Sequence, residues 1–205
     1  MVTVKYQNGN YDGGNQSTLF TFEYEQEAAS YGILVDSGPD LDLDDKLGEN
    51  EHLLATLLTH AHQDHIAGLD ACLRDASPIY TSPATAAILE HTLAADAGRP
   101  GIDDPDPVIN RLKVLDADWT TLVRDIEVRP IPVGHAPGAT GFLLRFDDDE
   151  HIFVTGDFTR YDVAGNPGLD PTFDGALQTG PAIQTAGARI LQTTPARSSR
   201  SGRST

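Results

Sequence analysis

Seven consecutive residues concentrate metal-binding chemistry: Thr59-His60-Ala61-His62-Gln63-Asp64-His65. Three imidazoles and one carboxylate fall within six positions at the end of an apolar run. Neutral imidazole and carboxylate are ligands for zinc, and for manganese or iron, without any thiolate. In an extended turn His60 and His62 point the same way, while Asp64 and His65, at the start of a helix, point to an adjacent position. Two neighbouring cations are then within reach. A solvated histidine patch is the bland alternative, and a cluster this dense beside a buried strand speaks against it.

The elements that must position these residues follow from periodicity. Leu53 to Leu58 is an apolar stretch too short for a helix, as in a buried strand. Beyond the cluster, Ile66, Leu69 and Leu73 form one stripe and predict a helix from about His65 to Arg74. The cluster thus sits at a strand-to-helix junction. Upstream, Val2 to Tyr6, Thr18 to Tyr24 and Tyr31 to Val35 read as a meander, with Gly13, Gly14 and Asn15 turning between the first two strands. Downstream, Pro78 to Thr81 reads as a strand, followed by a helix with Ser82 as N-cap, Pro83 at its first position and Ile88, Leu89 and Leu93 on one face. Asp96 to Pro107, rich in proline and acid, predicts a surface loop. Strands resume at Ile126 to Val133, Gly141 to Phe146 and Ile152 to Thr155, so the class is α/β or α+β.

The 205 residues suffice for one domain with a substantial core. No apolar run of eighteen residues and no charged-then-apolar leader after Met1 occur, so neither a membrane span nor a signal peptide is expected. The single cysteine, Cys72, forms no internal disulfide and is expected in the core, which fits a reducing, cytoplasmic setting. With 31 acids, 14 bases and a net charge of −17, the chain is acidic, and only Lys5, Lys46 and Lys113 are lysines. That balance suggests a halophilic protein, because in molar salt the Debye length shrinks to about 3 Å and acid repulsion is screened. All 31 acids lie in the first 174 residues, whereas residues 175–205 hold four arginines and no acid. The break has three readings: a flexible tail, a basic arm for an anionic partner, or sequence out of register.

The segment THAHQDHIAG, Thr59 to Gly68, resembles the HxHxDH signature of the metallo-β-lactamase superfamily. Three further segments match that superfamily in order: Ile33-Leu34-Val35-Asp36-Ser37-Gly38, Gly134-His135-Ala136-Pro137-Gly138 and Thr155-Gly156-Asp157-Phe158. The resemblance spans about residues 10 to 171. It implies an αββα sandwich, mainly its N-terminal half, with mixed sheet flanked by helices. It implies His60, His62 and His135 on a first metal, Asp64 and His65 on a second, and Asp157 bridging both, with Asp36 supporting from behind. Taken alone, His135 reads as a loop residue and Asp157 as a turn former. Asp36 is open between starting a turn and orienting a ligand histidine. His52, His91 and His151 lack partners at ligand spacing and read as structural or solvent-facing. Trp119 reads as packing, and Gly13 with Gly14 as a hairpin turn. The superfamily supplies one more histidine to the second metal from its C-terminal half, and none follows His151 here. The expected cofactor is therefore zinc, two ions with the second position incomplete, or manganese or iron.

Such a site lowers the pKa of a shared water from 15.7 toward about 7, making hydroxide available for hydrolysis, with Asp64 orienting the attack. Three details are similar to the β-CASP nuclease branch: Ile79-Tyr80-Thr81 with Thr85, Pro137-Gly138-Ala139-Thr140-Gly141, and Gly156-Asp157-Phe158-Thr159-Arg160. The resemblance implies an RNA-processing exonuclease or endonuclease, of which residues 1–174 are an incomplete metallo-β-lactamase-like domain and 175–205 a disordered or out-of-register tail. The substrate is then RNA, with no membrane partner. The alternatives are a small-molecule ester or thioester hydrolase of the glyoxalase II or lactonase kind, and an inactive metal-binding fragment.

Overall fold

A computed structural model describes residues 2–9, 16–95, 102, 104–147, 150–170, 172, 182–185 and 188–193. Among the described residues, twelve strands make two six-stranded sheets. The first contains β1 (Val2–Asn8), β2 (Thr18–Tyr24), β3 (Ser30–Val35), β4 (Glu51–Leu57), β5 (Ile79–Thr81) and β6 (Leu112–Val114), in that order. Its opening meander is antiparallel, and β3 to β6 are parallel. The second sheet is antiparallel, in the order β11 (Ala182–Thr185), β12 (Ala188–Thr193), β10 (Glu150–Val154), β9 (Thr140–Phe146), β8 (Ile126–Pro132) and β7 (Thr120–Val123).

Alternation along the strands builds the layers, since successive side chains leave a strand on opposite faces. Phe20, Phe22, Ile33, Val35 and Leu57 of the first sheet pack with Phe142, Leu144, Phe146, Ile152 and Val154 of the second. Phe22 and Phe146 meet edge to face at 5.3 Å between ring centres, the arrangement that aromatic quadrupoles favour. The intervening Leu19 and Leu34 point outward, where the helical segments cover them, and Leu53 joins them because the register of β4 against β3 shifts after it. These are α1 (Leu43–Lys46), α2 (Gln63–Ile66), 3-10 turns at Leu69–Ala76, α3 (Pro83–Ala95) and α4 (Pro105–Ile109). On the far face of the second sheet Leu143 and Phe153 are fully buried, with Trp119, Ala136 and Leu169 packed against them. No helix among the described residues is long and apolar enough to cross a membrane.

Two expectations change. The helix from His65 to Arg74 is two pieces, α2 and the 3-10 turns. Its apolar stripe is present, for Ile66 and Leu69 are fully buried, but the backbone there pairs elsewhere. Ser37 N donates to His65 O and Gly68 N donates to Ser37 O, each at 2.8 Å. A Cβ at Gly68 would lie 2.3 Å from Gly38 O, so only glycine allows this approach. The predicted loop after Asp96 ends in α4, capped by Asp104, whose carboxylate accepts from Asp106 N at 3.2 Å, with Pro105 at the first position. Residues 96–101 and 103 of that loop, and the Gly13 to Asn15 turn, lie outside the described residues. In the low-acid segment β11 and β12 form a hairpin whose second strand pairs with β10, and the rest of it lies outside the described residues.

Candidate metal centre

The residues singled out above gather at one end of the sandwich, on loops that follow β3, β4, β8 and β10. Asp36 leaves β3 in the left-handed region, φ 58°, a conformation aspartate tolerates better than most residues. That turn places its carboxylate beneath the His60–His65 loop. Asp36 Oδ1 accepts from Thr59 N at 2.7 Å, and Oδ2 lies 2.8 Å from both Thr59 Oγ1 and His65 Nδ1.

Proton accounting assigns the tautomers. A carboxylate only accepts, so His65 Nδ1 carries a proton and its Nε2 faces the other way. The Thr59 hydroxyl spends its one proton on Asp36, so Oγ1 must accept from His60 Nδ1 at 2.9 Å. His60 Nε2 is thereby left with its lone pair turned toward His62 Nδ1, 2.9 Å away. One buried carboxylate thus orients two imidazoles, His65 directly and His60 through Thr59.

The donor atoms fall into two overlapping groups. His60, His62 and His135 form one, with His135 Nε2 3.2 Å from His62 Nδ1. His60, His65 and Asp157 form the other. Asp157 Oδ2 lies 3.4 Å from His135 Nε2 and 3.7 Å from His65 Nε2, and Asp64 Oδ2 is also 3.7 Å from His65 Nε2. Two ligands of a tetrahedral zinc stand about 3.3 Å apart, given metal–ligand bonds near 2.0–2.1 Å. The decisive fit is at His65: its Nε2 is buried with no hydrogen-bond partner and is aimed between two carboxylates. A divalent cation satisfies that atom, and the nitrogen and oxygen donors present suit zinc, manganese or iron.

The electrostatics fit a cation as well. Burial opposes charge on His65, but the carboxylates of Asp36 and Asp157 outweigh it and push the imidazole up to about 10. Burial, together with the rings of His65, His62 and His135, pushes His60 down to about 3, so it stays neutral with a lone pair to offer. The His65 imidazole, against the effect of burial, and the rings of His135 and His60 hold Asp157 below the usual carboxylate range.

All seven candidate residues therefore converge: His60, His62, Asp64, His65, His135, Asp157 and Asp36. His52 lies on the surface near Asp75, at 3.8 Å, and His91 is exposed. His151 is buried beside Trp119 at 6.0 Å between ring centres. Thr59 was missed as a functional residue, although its place immediately before His60 was a usable signal.

The model of the beta-lactamase superfamily domain matches residues 31–178. DNA cross-link repair 1A protein of Mus musculus is 31% identical over 111 residues, 54% of this chain and 10% of that protein. Ribonuclease TTHA0252 of Thermus thermophilus is 29% identical over 136 residues, 62% of this chain and 31% of that protein. The chain thus spans a tenth to about a third of the length of these curated relatives. A metallo-β-lactamase of Cronobacter sakazakii with a HARLDQ motif superposes at a TM-score of 0.50 and 17% identity, covering 73% of this chain and 55% of that one.

Proposed function

The chain belongs to the beta-lactamase superfamily, and from that membership we propose that it is the metal-binding half of a metal-dependent phosphodiesterase that cleaves RNA, of the β-CASP type. The observation that carries this reading is that Asp157 Oδ2 lies near both His135 Nε2 and His65 Nε2, and so adjoins both donor groups, which supports a two-metal arrangement. In the proposed arrangement His60, His62 and His135 would hold one ion and Asp64 and His65 the other, with Asp157 placed to serve both. The ions, when bound, supply Lewis acidity that activates water and offsets charge gathering on the phosphoryl oxygens.

The chain's own residues do the rest. Asp36 orients His65 and, through Thr59, His60, so that their metal-facing nitrogens are aimed at the centre before an ion arrives. Asp64, whose side chain is about half exposed at 53%, stands where substrate and solvent arrive. It would orient the attacking water and take up its proton while the water oxygen joins phosphorus and the P–O ester bond breaks, the leaving oxygen keeping the bonding pair and gaining a proton from solvent. RNA is supported as the substrate by the name of the Thermus ribonuclease and by the β-CASP-like wording around Thr85, Gly138 and Asp157.

One observation favours a second reading. A cavity of about 470 Å³ adjoins the His135 turn, walled by Pro83, Ala84, Leu115, Pro130 and Pro132, with Asp116 and no basic residue among the described residues that line it. Such walls suit an uncharged, apolar group better than a phosphate chain, as in a small ester or thioester. The test is direct: purified protein with zinc or manganese in molar salt is given an RNA oligomer and, separately, a glutathione thioester. Cleavage of RNA with the thioester untouched is expected, and the opposite result would replace the first reading with the second.

A further inference from the structure

We propose that Ser82 and Thr85, at the start of α3, are positioning residues for His135 and act through the carbonyl of Gly138. The inference rests on the metal-centre reading above. His135 is carried by a closed turn: Ala139 N donates to Ala136 O at 2.9 Å, and Val133 N donates to Ala139 O at 3.2 Å. The imidazole itself lies against His62 Nδ1, the His60 ring and the Asp157 carboxylate. Unlike His60 and His65, it has no oxygen among the described residues that fixes its second nitrogen. Its placement therefore depends on the placement of the turn.

Beside the bond by which Thr159 N donates to Val133 O at 2.9 Å, that turn is fastened at two points. On one side Thr140 N donates to Thr59 O at 2.9 Å, which ties it to the strand end that carries His60. On the other, two hydroxyls converge on a single carbonyl: Ser82 Oγ donates to Gly138 O at 2.6 Å and Thr85 Oγ1 donates to it at 3.1 Å. Ser82 also caps α3, accepting from Thr85 N at 3.2 Å. A cap needs only the lone pairs of the hydroxyl. Its proton is surplus to that duty and, of the two acceptors in reach, Thr85 Oγ1 at 3.0 Å and Gly138 O at 2.6 Å, the nearer is the carbonyl 56 positions away. Gly138 has φ 78°, and a Cβ there would lie 2.6 Å from Thr85 N and 2.8 Å from both hydroxyl oxygens. The turn and the helix start are thus in contact over one backbone position that admits no side chain.

Capping and clamping are separable by substitution. Ser82→Asp keeps an oxygen to cap the helix but has no proton for Gly138 O, and Thr85→Val removes the second donor at equal size. Ser82→Thr with Thr85→Ser keeps both donors. Zinc is titrated into each metal-free protein by calorimetry in molar salt, and the histidine ring signals are followed by nitrogen NMR before zinc is added. The double variant that cannot donate is expected to bind zinc at the three-histidine position about 10- to 100-fold more weakly, the range for a lost outer partner of a ligand. The donating pair is expected to stay within about threefold of the parent. In the metal-free state the His135 signals should move in the non-donating variant while those of His60 and His65 hold.

Equal affinity and unmoved His135 signals in the non-donating variant would overturn the clamp. If that double variant does not fold, Thr85→Val alone is read by the same criteria. A parent protein that takes up no zinc while the His135 signals still respond would retire the metal reading and leave the mechanical link standing.

Discussion

The metal centre has a wall and a rim, and the two are held by different means. Along the wall His60, His65 and Asp36 are almost completely buried, at 0%, 1% and 2% exposure, and each has a committed hydrogen-bond partner behind it. Along the rim His62 and Asp64 are exposed, His135 and Asp157 are partly so, and their side chains meet one another and the metal-facing nitrogens of the wall. The difference separates two jobs. The wall is part of the folded core and is oriented before any ion arrives, whereas the rim is open to solvent and substrate and is placed chiefly by backbone turns.

The largest effect should come from removing the carboxylate that serves the wall. Asp36→Ala strands Thr59 N, Thr59 Oγ1 and His65 Nδ1 in a buried place, so urea unfolding of the metal-free protein should show a loss of about 3 kcal/mol or more, together with failure to retain zinc. A loss below about 1 kcal/mol would erase the distinction between wall and rim. Thr59→Val keeps the shape and deletes only the relay to His60. It should cost about 1–3 kcal/mol and weaken zinc binding by about 10- to 100-fold, with a tautomer change at His60 visible by nitrogen NMR. His62→Ala belongs to the rim, so stability of the metal-free protein should stay within about 0.5 kcal/mol, as for surface substitutions, while zinc affinity collapses. Should His62→Ala unfold the protein, the rim would be structural after all.

The pH dependence of metal-free stability gives the finest comparison inside the wall. His65, raised to about 10, binds a proton more tightly folded than unfolded, so its contribution is complete below pH 6.5 and is lost as pH rises toward 10. His60, lowered to about 3, takes up its proton on unfolding, so stability is lost as pH falls from 6.5 toward 3. The two together predict a maximum near pH 6.5, tracked by urea midpoints across the range. His65→Gln should remove the decline on the alkaline side and leave the acid side in place.

How much of this was legible in the chain depended on distance along it. Four of the seven candidates sit within six residues, and ligand chemistry at that density reads directly from residue types. Asp36, His135 and Asp157 were reached only through motif resemblance, because a lone acid at a strand end and a lone histidine in a glycine and proline turn carry no local signal. The cap at Ser82 was legible from its neighbours, yet its bond to Gly138 joins segments far apart and follows only from the packing of α3 against the turn. The helix from His65 was read too long because its apolar stripe is real, and the break at Gly68 comes from the Ser37–Gly38 backbone, which periodicity does not register. The short edge strands β6 and β7 contain no fully buried residue and so lack the alternation that would announce them.

The central claim is that these imidazoles and carboxylates hold divalent ions. Calorimetric titration of zinc into the folded, metal-free chain in molar salt tests it without recourse to any substrate. At least one equivalent should bind with saturating heat, and that heat should vanish in a His60→Ala, His62→Ala, His135→Ala triple variant. Heats equal to those of dilution for the parent chain, or heats unchanged in the triple variant, would contradict the claim.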